Sequence, residues 1–139
     1  MMPQYHLIAS IILALIYYVS TSSLDGALFC FIFGFFVDVD HLIDFWIYKK
    51  KIIFSKEIFE HFYEKFGKVI VLFHSLEFVF LLILFGFLFP NLSKCLFGAS
   101  IGLLSHLILD FSSYELHPLS YFLVYRIFVK FDKKYVCAK

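Results

Sequence analysis

Ala27-Leu28-Phe29-Cys30-Phe31-Ile32-Phe33-Gly34-Phe35-Phe36-Val37 carries no charge and runs straight into Asp38-Val39-Asp40-His41-Leu42-Ile43-Asp44. The first half has the composition of a lipid-facing helix. The second sets four ionisable groups hard against it. An Asp at the centre of a membrane helix costs about 2.5–3.5 kcal/mol on insertion scales. Side chains this costly in such a place point to a buried purpose.

The rest of the chain repeats the contrast. Of 139 residues, 62 % are hydrophobic and 21 are Phe, against roughly 45–50 % apolar residues in soluble domains. This is the composition of an all-α membrane protein, and its length predicts one domain over residues 1–139. A net charge of +1 offers no footprint for nucleic acid, so membrane lipids are the partners expected. Cys30, Cys95 and Cys137 include no C-x-x-C spacing, which excludes a disulfide framework and a thiolate metal site. The N-terminus has no basic segment before its apolar run, so the first run is expected to stay as a helix rather than be cleaved.

A crossing of about 30 Å of hydrocarbon needs about 20 apolar residues. Tyr5–Ser20 supplies one candidate. Leu24–Val37 supplies only about 21 Å at 1.5 Å per residue, so this helix continues and puts Asp38–Asp44 at an interface. Trp46, Tyr48 and Lys49-Lys50-Lys51 then form an aromatic belt and a basic anchor. Phe54, Ile58, Phe62 and Phe66 recur every fourth residue against Lys56, Glu57, Glu60 and Lys65, the pattern of an interfacial amphipathic helix. Val69–Phe89 is the third expected crossing, ended by Pro90-Asn91, and Cys95–Phe111 is the fourth. Gly98 and Gly102 form a G-x-x-x-G for close helix packing. Leu119–Phe131 is short and holds Arg126 and Lys130, so it is expected to be interfacial or re-entrant. The prediction is a bundle of about four transmembrane helices.

Lys49, Lys50, Lys51, Lys56, Lys65 and Lys68 cluster in one connection, and Arg126, Lys130, Lys133, Lys134 and Lys139 in the tail. By the positive-inside rule both are cytoplasmic. Four crossings then leave both termini in the cytoplasm, with the protein multi-pass. Each remaining polar group falls at a cytoplasmic helix end: His6, Asp38 to Asp44, His74 with Glu77, and His106 with Asp110. That coincidence predicts that they meet in one pocket around a metal. His74 and Glu77 lie about 60° apart on a helix, and His106 and Asp110 about 40°. Asp38 and Asp40 lie about 200° apart, so both can bind only where the helix bends or ends.

Imidazole with carboxylate and no thiolate suits a divalent ion, Zn²⁺ first and Mn²⁺ or Fe²⁺ as alternatives. The metal ligands expected are His6, Asp40, His41, His74, His106 and Asp110. Glu77 and Asp38 are the expected catalytic carboxylates, Glu77 as general base. Each residue also has a bland reading: an interfacial His6, Asp38 and Asp40 as helix caps, His106 and Asp110 as an interhelical hydrogen bond, His61 on a solvated face, His117 in a loop.

The pattern His6, then Asp38-Val39-Asp40-His41, His74-Ser75 and His106-Leu107-Ile108-Leu109-Asp110 resembles a family of small inner-membrane proteins described as metal-dependent hydrolases, one branch of which is regulated by the SOS repressor. The family pattern has Pro where this chain has Val37, and a His-Arg pair where it has Lys68-Val69. The resemblance implies a hydrolase-type metal site. The expectation is hydrolysis of a phosphoester or ester in a small-molecule, lipid or lipid-linked substrate at the cytoplasmic interface. A protein that binds or transports metal without catalysis is the alternative.

Overall fold

Apolar runs that must hide their own peptide groups become helices, and in the computed structural model most of the described residues are helical. It describes residues 3–50, 66–113 and 117–137. The helices are α1 (Pro3–Thr21), α2 (Leu24–Phe35), α3 (Val39–Lys49), α4 (Leu76–Leu88), α5 (Ser93–Ser113), α6 (Leu123–Phe128) and α7 (Lys133–Val136). Among the described residues, three stretches are long and apolar enough to cross a membrane: Gln4–Thr21, Leu24–Lys49 and Pro90–Ser113. These mark a multi-pass membrane protein. The expected amphipathic helix around Phe54–Phe66 lies almost wholly outside the described residues, as does His61.

The described residues fall into two compact units, one within Met1–Val37 and Ser75–Tyr114, the other within Asp38–His74 and Glu115–Lys139. In the first, α1, α2, α4 and α5 pack together, α5 most extensively on α2. Ser23 caps α2 by accepting from the Gly26 N–H at 3.2 Å. The G-x-x-x-G reading holds in atomic detail. A Cβ on Gly98 would run into the Gly26 carbonyl, and one on Gly102 into the Cys30 carbonyl. The two backbones therefore touch where only glycine has room. At one end, Tyr17 Oη donates to the Lys94 carbonyl at 2.7 Å and Lys94 Nζ to the Thr21 carbonyl at 3.1 Å. Large apolar side chains such as Leu15, Val19, Phe80, Phe87 and Ile108 face outward from these helices, a surface suited to lipid rather than water.

Between α2 and α3 the helix tightens into a 3-10 turn, Phe36–Asp38, the interruption that two carboxylates two residues apart call for. The crossing expected over Val69–Phe89 is shorter in the structure. Its helix starts only at Leu76 and is 13 residues long, about 20 Å. Residues 69–75 are largely apolar too, yet their backbone is drawn off by partners in the second unit. Ile70 and Val71 N–H groups donate to Asp44, and Phe73 N–H to Asp40. Carbonyls that a helix would use accept instead from Arg126.

Other described residues of the second unit also hold this segment. Val69 N–H donates to the Phe131 carbonyl at 2.9 Å and Lys133 N–H to the Gly67 carbonyl at 3.0 Å, flanking an isolated Lys68–Asp132 bridge. The region expected to be interfacial or re-entrant is a 3-10 turn, Pro118–Tyr121, then α6 of 6 residues. At about 9 Å such a helix cannot cross a bilayer.

Candidate metal centre

In the second unit, α3 and the Asp38 that caps it present their acids on two faces. Asp38 and His41 are three apart and share one, with Asp38 Oδ1 3.5 Å from His41 Nε2. Asp40 and Asp44 are four apart and share the other, where they accept the 70–73 amides. Asp40 is 1 % exposed. Its Oδ2 takes the Phe73 N–H at 2.9 Å and lies 3.0 Å from His74 Nδ1. A carboxylate only accepts, so Nδ1 carries a proton, and in the neutral imidazole Nε2 holds the lone pair. This carboxylate–imidazole arrangement orients a histidine for metal binding.

His74 Nε2 lies 3.4 Å from Asp38 Oδ1. Two lone pairs at that distance repel unless a proton or a cation sits between them. Neighbouring ligands on a tetrahedral ion with bonds of about 2.1 Å stand about 3.4 Å apart. The His41 and His74 rings meet edge to face at 5.0 Å. Asp40, His41 and His74 each offer a ligand atom within 4.8 Å of the others. Asp40 Oδ1 is buried with no hydrogen-bond partner among the described residues. A buried carboxylate oxygen in that position needs a partner such as a water or an ion. These residues form a buried His/Asp cluster that could hold a metal ion.

The first unit builds a related arrangement. His106, fully buried on α5, lies with Nδ1 2.9 Å from the Gly34 carbonyl, so Nδ1–H donates, and with Nε2 3.4 Å from Asp110 Oδ2. His6 Nε2 donates to Asp110 Oδ1 at 3.1 Å, and its ring stacks on His106 at 4.0 Å. His6 Nδ1 is buried without a hydrogen-bond partner among the described residues. G-x-x-x-G packing makes this possible, because close approach of α2 and α5 brings the Gly34 carbonyl to His106. Hence His6, His106 and Asp110 come together in one unit, and Asp38, Asp40, His41 and His74 in the other. Glu77 stands in the first turn of α4, where the helix dipole favours an acid.

His117 is a cap, its Nδ1 accepting from the Leu119 N–H at 3.2 Å while its ring stacks on Tyr125. Sequence reasoning missed Arg126 and gave Asp44 no role of its own. Arg126 is 1 % exposed. An arginine inside an apolar run was the available signal, since burial there demands several acceptors. Outside the spans, burial pushes the Cys137 thiol up from its ordinary value, so it stays protonated rather than becoming a thiolate ligand.

No family model, curated protein or solved structure matches the chain.

Proposed function

We propose that the chain is a metal-dependent hydrolase of the inner membrane, with a divalent ion, Zn²⁺ first, held by the Asp/His cluster on α3 and the 70–74 segment. The observation that carries this is Asp40: one oxygen orients the His74 ring through Nδ1, and the other is buried without a partner among the described residues. Asp38, less buried and beside both imidazoles, would be placed to take up a proton there, and a bound divalent ion would supply Lewis acidity. Glu77 is assigned as general base from its place in an apolar helix. The family resemblance of the D-x-D-H, H-S and H-x-x-x-D elements supports hydrolysis over transport, and transport would call for ionisable groups through the full depth of the spans. A site at the interface suits a phosphoester or ester whose apolar portion stays among the Phe-rich helices, a lipid or lipid-linked substrate.

The test is metal content and turnover on detergent-purified protein. Wild type should carry close to one equivalent of a divalent metal per chain and cleave a chromogenic phosphodiester or ester. His74→Ala should lose both. Glu77→Ala should keep the metal and lose turnover. Metal without turnover on any ester in wild type would favour a binding or transport protein, and no metal in wild type would end the proposal.

A further inference from the structure

We infer that Arg126 is a positioning residue for this metal centre, holding the 70–74 segment so that His74 presents Nε2 to the ion. Nothing in the metal-ligand pattern calls for Arg126, which lies far along the chain on α6. Yet Nη1 donates to the Ile70 and Val71 carbonyls at 2.8 and 2.6 Å, and Nη2 to the His74 carbonyl at 2.8 Å. The guanidinium fork thus ties the start of the segment to its end, a span that one ammonium cannot reproduce.

The opposite side of the segment is held by acids. The peptide joining Ile70 to Val71 lies between two charges: its carbonyl accepts from Arg126, and its N–H donates to Asp44 at 3.2 Å. Aligned this way, each hydrogen bond polarises the other. Val71 itself sits at φ 30°, a left-handed conformation that a β-branched residue adopts only when its surroundings impose it. Phe73 N–H and the His74 ring then both settle on Asp40 Oδ2. Arg126, Asp44 and Asp40 therefore grip one strained loop from two sides, and the group that loop delivers is His74.

This inference rests on the proposed metal site, and the experiment separates the two. Cobalt(II) chloride is titrated into the full chain in detergent, monitoring the visible absorption of the ion, for wild type, Arg126→Lys and His74→Ala. Folding is checked by circular dichroism and gel filtration. Arg126→Lys should fold and bind cobalt about 10–100-fold more weakly, the usual cost of losing a ligand's outer support. At a given cobalt concentration its bound-ion absorption should be weaker than wild type's, and His74→Ala should show none. Wild-type affinity and spectrum in folded Arg126→Lys, even with a lower melting temperature, would overturn the positioning role.

Should Arg126→Lys not fold, amide exchange in wild type decides. Metal bound through His74 should slow exchange at Ile70, Val71 and Phe73, and unchanged rates at saturating cobalt would overturn the inference. Wild type that takes up no cobalt removes the metal site, and the positioning role with it.

Discussion

Asp40 has two oxygens with different duties, and that division is the core of the site. Oδ2 serves orientation, taking the Phe73 amide and the His74 ring together. Oδ1 is buried with no hydrogen-bond partner among the described residues. Asp40→Asn keeps the size and an acceptor for Phe73 but removes the charge and one ligand lone pair. Divalent metal affinity should fall by about 10–100-fold while the fold persists, measured by competition with a chromophoric chelator; unchanged affinity would contradict the role. Most of these side chains were legible in the sequence because an ionisable group beside Phe-rich helix is costly wherever it lies, which singled out Asp40, His74, His106 and Asp110 without coordinates. Asp44 and Arg126 were not legible in the same way. Their partners are backbone groups of a distant segment, and such bonds leave no spacing to read.

Among the elements, α5 shows why packing and chemistry are one problem. Its Gly98 and Gly102 allow contact with the α2 backbone, and a residue at 106, one turn beyond Gly102, then meets the Gly34 carbonyl. Gly102→Val would push against the Cys30 carbonyl and the Gly34 amide, which cannot move aside as a side chain can. Overpacking of this kind typically costs about 1–3 kcal/mol, and a backbone clash should fall toward the upper end. Ile108→Ala on the outward face should change stability by about 0.5 kcal/mol or less. Unfolding of detergent-solubilised protein by SDS compares the two, and equal losses would remove the packing argument. Run length and small-residue spacing made α1, α2 and α5 readable in advance. The late start of α4 was not readable, because the 69–75 segment is apolar enough for a helix and loses it only to Asp40, Asp44 and Arg126.

For the molecule as a whole, α4 decides the topology. Its 13 residues reach about 20 Å against about 30 Å of hydrocarbon, so length alone makes it a poor spanning helix. Charge argues the other way. Lys49 to Lys68 and the tail from Arg126 to Lys139 are the two basic regions, and the positive-inside rule puts both in the cytoplasm. With the spans at Leu24–Lys49 and Pro90–Ser113 both crossing, that is satisfied only when the chain returns through the membrane between them. Leu76–Leu88 is the only apolar helix described there. A short hydrophobic stretch is accommodated by local thinning of the bilayer at a fraction of a kcal/mol per Å. Moving a basic tail to the outer side is the less favourable alternative. The prediction is four crossings with both termini inside. Alkaline phosphatase fused after Pro90 should be active, and fused after Lys139 inactive, while green fluorescent protein at Lys139 should fluoresce. An active phosphatase at Lys139 would mean that only the three long helices cross, and α4 would then have to lie within one leaflet.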